Sequence, residues 1–218
     1  MGNHSSKGMT AMAVTDVPPA QSTPAVVAPA FGAGIADPGP LGLAAFALTT
    51  FVLSISNAGL VSTAGLTVLS VALFYGGIVQ VLAGMWEFVK GNTFGALAFS
   101  SYGAFWMSYW YIKVHVDLSA ATVEDAKKGV AIFLLGWTIF TLYMLVCTLR
   151  LNGMLIVVFT LLTLAFVFLC LGDWLNNLNI YKVGGYLGIA TAIGAWYGSF
   201  AGVINASWKR VVLPVFPR

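Results

Sequence analysis

Charge is the scarcest property of this sequence: Asp, Glu, Lys and Arg make up 8% of its 218 residues, against about 25% in an ordinary soluble domain. A chain so poor in charge cannot cover a water-facing surface. Lipid must cover much of it, and a soluble globular protein is excluded. The net charge of +3 is small and its basic residues form no stripe, so nucleic acid is not an expected partner. Cysteine and histidine are nearly as rare. Cys147 and Cys170 both fall in apolar runs, where they read as small packing residues rather than a disulfide. His4 and His115 supply no zinc or haem spacing, so neither metal nor cofactor is expected. Paired carboxylates, nucleophile–base pairs and helical histidine pairs are also missing, and the chain does not read as an enzyme.

Apolar residues, at 59%, are what the sequence has in abundance. Residues 1–36 stand apart as a tail rich in Ala, Pro, Ser and Thr, with Pro18, Pro19, Pro24 and Pro29. This composition cannot bury enough apolar surface to fold, so the tail is expected to be disordered. It holds no apolar run long enough for a signal peptide. Met1-Gly2 followed by Ser6 matches only a minimal acylation pattern. After Pro38 and Pro40 six apolar stretches follow, at 41–61, 66–88, 94–112, 129–149, 153–171 and 183–206. Each is near the roughly 20 residues needed to cross about 30 Å of hydrocarbon. Backbone polar groups find no water there, so each stretch must be helical. The expected fold is an all-α membrane domain of six transmembrane helices over residues 37–210, with a short tail at 211–218.

Basic residues set the expected orientation. With the N-terminus inside, Lys7, Lys90, Arg150, Lys209, Arg210 and Arg218 lie on the cytoplasmic side, and Lys113, Lys127, Lys128 and Lys182 lie outside. The bias puts both termini in the cytoplasm. The last stretch carries Gly184 and Gly188, then Gly194, Gly198 and Gly202. Small residues four apart share a face and let another backbone approach. Whether that backbone belongs to the same chain is left open by the spacing.

A solute path needs polar groups at helical spacing. The first stretch offers Phe46, Thr49, Leu53 and Asn57 on one face. Hydroxyls alone say little, because they bond their own helix. Asn57 reads equally as a path residue or a helix end. The second stretch offers Gly77, Gln80, Gly84 and Glu87. A buried Gln is costly in hydrocarbon and must find partners. Glu87, beside Lys90, reads either as functional or as solvated at the interface. The third stretch has Ser100, Ser101 and Tyr102, then Phe105, Trp106, Tyr109, Trp110 and Tyr111, a cluster that fits an interfacial aromatic belt. Thr160, Leu162 and Thr163 lie in the fifth. With no fixed charge at mid-membrane, such a path suits a small, partly apolar solute better than an inorganic cation.

Several ordered runs resemble the acetate uptake transporter family, which contains bacterial acetate/succinate permeases. They are Asp37-Pro38-Gly39-Pro40-Leu41-Gly42-Leu43, Phe74-Tyr75-Gly76-Gly77 with Gln80, Ala83-Gly84 and Glu87, and Gly91-Asn92-Thr93-Phe94-Gly95 through Ser101-Tyr102-Gly103 and Phe105-Trp106. Ala195-Trp196-Tyr197 and Val212-Leu213-Pro214 are late echoes. The first run departs from the family's Asn-Pro-Ala-Pro-Leu-Gly-Leu at Asp37 and Gly39, and Asp37 adds a negative charge near an anion's route. The resemblance implies a multi-pass plasma-membrane transporter or channel for acetate and related small carboxylates, succinate among them, channel-like or weakly proton-linked, assembled as a hexamer with a path through each protomer. It places a hydrophobic constriction at Phe46, Tyr102 and Leu162 and substrate selectivity at Leu162 and Ala195. Thr49, Asn57, Gln80 and Glu87 are the further candidate path residues. The rival expectations are a channel for another small solute, such as ammonia, formate or bicarbonate, and a non-transporting membrane scaffold or sensor.

Overall fold

The structure is a computed structural model that describes residues 1–2, 34–117, 119 and 121–218. Most of the expected tail, residues 3–33, lies outside the described residues, with His4, Lys7 and the acylation pattern. Among the described residues there are six helices: α1 Gly39–Asn57, α2 Ala64–Lys90, α3 Thr93–His115, α4 Val123–Thr148, α5 Gly153–Trp174 and α6 Leu178–Trp208. The described residues contain one isolated antiparallel bridge, between Asn152 and Pro217.

The helices begin and end where local chemistry directs. Asn92, Thr122, Asn152 and Asn177 each accept a hydrogen bond from a backbone N–H in the first turn of α3, α4, α5 and α6. Each such cap stabilises its helix by about 1 kcal/mol, and together they fix four of the starts. Gly91, at φ +75°, closes α2 in the left-handed conformation that glycine adopts without strain. Helix ends differ from the sequence expectation. α1 stops at Asn57 rather than 61, α4 begins at Val123 rather than 129, and α6 spans Leu178–Trp208 rather than 183–206. The α4 and α6 extensions are capped polar turns, which a search for apolar runs misses. Five helices are long and apolar enough to cross a membrane. The remaining one, α3, has 23 residues, about 35 Å, but its Ser, Tyr and Trp residues make it less apolar.

The six helices form a ring in chain order. Each packs on its neighbour in sequence, and α6 closes the ring against α1. Glycines on α6 make the closure: a Cβ on Gly185 would collide with the backbone at Asn57 and Ala58, on Gly198 with Met154, and on Gly202 with Pro40. The small-residue face of the last helix is therefore spent inside the protomer, against α1 and α5, and carries no argument for a second copy. The α3–α4 seam is different. Those backbones stand further apart, and aromatic rings fill the gap: Tyr102 meets Phe140 edge-on at 5.3 Å, and Phe105 stacks on Phe133 at 5.7 Å.

Two departures from regular helix matter for the interior. Residues Phe74–Val79 of α2 form a π-helical turn, a feature common at functional positions, immediately before the buried Gln80. Residues 212–218 fold back as a strap. Asn205 bonds Leu213 twice and Val212 once. Gly153 and Met154 at the start of α5 donate to the carbonyls of Phe216 and Val215. The strap thereby satisfies N–H groups that a helix start leaves unpaired.

Candidate functional site

Three cavities line up through the ring. The near vestibule, at the N-terminal end of α1, holds about 180 Å³ and is lined by Asp37, Gln80, Glu87, Asn92 and Asn152 among apolar neighbours, with Phe46, Tyr102 and Leu162 at its floor. A middle chamber of about 40 Å³ follows, lined by Thr50, Ser54, Asn57, Trp106 and Leu162. The far vestibule, about 510 Å³, carries Lys113, Lys127, Asp173, Tyr109 and Tyr181. Leu162 is the one residue common to the near vestibule and the middle chamber. Leu53, Asn57, Phe105, Phe166 and Leu169 line both the middle chamber and the far vestibule.

The structure brings Phe46, Tyr102 and Leu162 together from α1, α3 and α5. All are buried, and the Phe46 and Tyr102 rings lie 5.6 Å apart at 53°. Tyr102 is held on the other side by Phe140, Phe159 and Trp137. Its hydroxyl lies 2.9 Å from Thr141 Oγ1. Thr141 spends its single hydroxyl hydrogen on the Trp137 carbonyl at 2.7 Å, so Tyr102 must be the donor. The phenol is satisfied, and the side chain cannot swing to another rotamer without losing that bond.

Glu87 is 1% exposed, so it is not solvated at the interface. Asn92 Nδ2 donates to its Oε2 at 2.8 Å, while Asn92 Oδ1 caps α3 through Gly95 N–H. One asparagine thus ties the carboxylate to a helix start. Gly95 makes the approach possible, because a Cβ there would sit 2.8 Å from Glu87 Cδ. Asp37 pairs with Lys90 at 3.3 Å, which offsets the charge this chain adds to the near mouth. Gln80 is fully buried and lines the near vestibule, yet neither of its amide atoms has a protein partner. Thr50 Oγ1 and Trp106 Nε1, in residues lining the middle chamber, are likewise unpartnered.

The other expected path residues divide. Asn57 lines the middle chamber and the far vestibule and accepts from the Tyr181 hydroxyl at 3.2 Å. Thr49 bonds its own helix at Ala45 and lies where Gly76 of α2 leaves room. It lines none of the three cavities. Ala195 is fully buried in the core and lines none of them either. Phe105 and Trp106 do not belong to an interfacial belt: they are 5% and 2% exposed, inside the ring. Thr141 and the α4 aromatics Phe133, Trp137 and Phe140 had no place in the sequence reading. Their spacing of four and three was the available signal.

Residues 20–218 match the family described as GPR1/FUN34/yaaH. Acetate permease A of Emericella nidulans is 43% identical over 195 residues, covering 83% of this chain and 65% of the relative. Ammonia transport outward protein 2 of Saccharomyces cerevisiae is 39% identical, covering 87% of this chain and 69% of the relative. Among solved structures, that of the bacterial acetate channel SatP matches with a TM-score of 0.76 and 36% identity, covering 83% of this chain and 99% of the other.

Proposed function

The chain belongs to the GPR1/FUN34/yaaH family, and from that premise we propose that it conducts acetate and related small carboxylates, succinate among them, across a bilayer through the path inside each protomer. It is a multi-pass membrane protein. In this reading all six helices cross the membrane, α3 included, because its 23 residues are long enough to span and a ring missing one member would leave the cavities open to lipid. Both termini are cytoplasmic, which follows the placement of basic residues, and the membrane is the cell membrane. The assembly is a homo-oligomer, a hexamer by the resemblance of the sequence motifs. In this reading residues 37–210 are the transport domain.

The observation that carries the reading is the pair of vestibules separated at Leu162 by an uncharged, aromatic constriction. A ring of Phe46, Tyr102 and Leu162 narrows and dries the path, and offers an inorganic ion nothing to replace its hydration. Acetate has a methyl group for the dry zone and a carboxylate for the polar walls. The buried and unpartnered Gln80 amide is the group we assign to that carboxylate on the near side. Glu87, held by Asn92, tunes the same vestibule. Leu162 sets the width, and Ala195, buried in the same core cluster, acts on selectivity through packing.

Counterflow of labelled acetate into proteoliposomes of purified protein tests this. Accumulation above empty liposomes, competed by succinate and not by ammonium, is the expected result. Ammonium competition without carboxylate competition assigns the path to the other solute class that a relative's name carries, and no flux of any solute returns the protein to a scaffold role.

A further inference from the structure

The far vestibule is lined by Lys113 from α3, Lys127 from α4 and Asp173 from α5. No carboxylate lies within ion-pair distance of either lysine among the described residues, where the ion pairs are Lys90–Asp37 and Lys128–Glu124. Lys113 sits 5.7 Å over the Tyr109 ring, and Lys127 donates to Asn176 Oδ1 at 2.6 Å. Helix-end electrostatics explain only one of them. Lys113 is in the last turn of α3, where a cation is favourable. Lys127 is in the second turn of α4, toward the end that favours anions; of the two acidic residues in that first turn, Glu124 is taken by Lys128 and Asp125 makes no ion pair with Lys127. The two vestibules also differ in sign. The near one is lined by Asp37, whose charge Lys90 offsets from outside the lining, and by Glu87. The far one holds two ammonium groups and one carboxylate between walls of Phe105, Phe133 and Phe166. Low-dielectric walls focus the field of an excess charge into the opening.

We infer that Lys113 and Lys127 form a carboxylate-capture site at the far mouth, with Asp173 limiting its strength so that the anion is released toward the constriction. This deepens the proposed function and rests on it. One unit charge acting over roughly 8 Å of watery vestibule changes local anion occupancy by about twofold, and two lysines together by about fivefold. The effect is steeper for a dianion such as succinate, because the attraction doubles. It also fades as salt rises, since the screening length falls to about 3 Å at 1 M.

The test is equilibrium exchange of labelled acetate and succinate in proteoliposomes, in which every exchanged molecule passes both mouths whichever way the protein is inserted. We expect K113Q/K127Q to raise the half-saturation concentration for acetate about fivefold, and for succinate more. Its maximal rate stays near wild type, and the salt dependence reverses, because the repulsion from Asp173 remains and weakens as salt rises. D173N lowers half-saturation about twofold, K127R retains wild-type behaviour, and K128Q, whose charge is spent on Glu124, changes nothing. Unaltered half-saturation and salt dependence in K113Q/K127Q overturn the inference. So does a fall in maximal rate alone, which marks a structural role. Absence of exchange by the wild-type protein overturns the proposed function instead, so the two failures are distinguishable.

Discussion

The hydrogen bond between Tyr102 and Thr141 has a direction, and the direction makes two conservative substitutions unequal. In Tyr102→Phe the donor goes, while Thr141 still donates to the Trp137 carbonyl. No buried donor is orphaned, so the cost is one ordinary hydrogen bond, about 1 kcal/mol. In Thr141→Val the acceptor goes instead and the Tyr102 hydroxyl, in a residue 3% exposed, loses its partner. An unsatisfied buried group costs about 1–3 kcal/mol. The double variant restores an apolar pair and should recover part of that loss. At about 2–4 °C per kcal/mol for a chain of this size, Tyr102→Phe should melt about 3 °C lower and Thr141→Val about 6 °C lower. Tyr102→Phe/Thr141→Val should melt above Thr141→Val alone. Thermal unfolding in mild detergent reads these shifts, and acetate counterflow reads the gate. Either variant loses the bond that holds the ring, so both should raise leak, Thr141→Val at least as much as Tyr102→Phe. Equal melting points for the two single variants, or a double variant below both, would refute the assigned donor.

Three further outcomes follow from the same path. Phe46→Ala removes a ring 5.6 Å from Tyr102, so it should admit water, raise acetate leak and loosen selectivity; unchanged flux and selectivity at normal expression count against the constriction. Leu162→Val adds about one methylene of space, typically worth about 1–3 kcal/mol in discrimination. The uptake ratio of longer acids to acetate should rise there more than in Ala195→Gly, since Ala195 lines none of the cavities; the opposite ranking sinks this assignment. Glu87→Gln keeps an acceptor for Asn92 and removes a charge, so it should retain acetate flux with the wild-type pH profile. Loss of pH-gradient-driven uptake with equilibrium exchange intact would make Glu87 a coupling residue.

Helix number and approximate position were legible because hydrocarbon thickness fixes the length of any apolar stretch. The arrangement was not. Every span here is apolar on most sides, so no polar face says which neighbour it meets. The glycines of α6 announced a close approach, but only the structure assigns it to Asn57, Met154 and Pro40. Tyr102 was readable from its motif, whereas its partner Thr141 lies 39 residues away on a helix whose threonines look like ordinary lipid-phase hydroxyls. The cap that ties Asn92 to Glu87 was hidden for another reason. A helix start and a buried carboxylate are separate signals in a sequence, and one side chain serves both here.

The ring closure also dictates an order of birth. α1 enters the membrane first, yet its lasting partners come last: Tyr181 reaches Asn57 from 124 residues downstream, and Ser199 reaches the Pro40 carbonyl from 159. Synthesis at about 5–20 residues per second puts several seconds between the first helix and the one that completes it. Through that interval the edge of α1 that will face α6, with Ser54 and Asn57 upon it, is bare to whatever surrounds the nascent chain. A stop introduced anywhere before α6 therefore leaves one edge of the first helix uncovered although α2 packs on another, and such a product should be recognised and degraded rather than persist as a smaller pore.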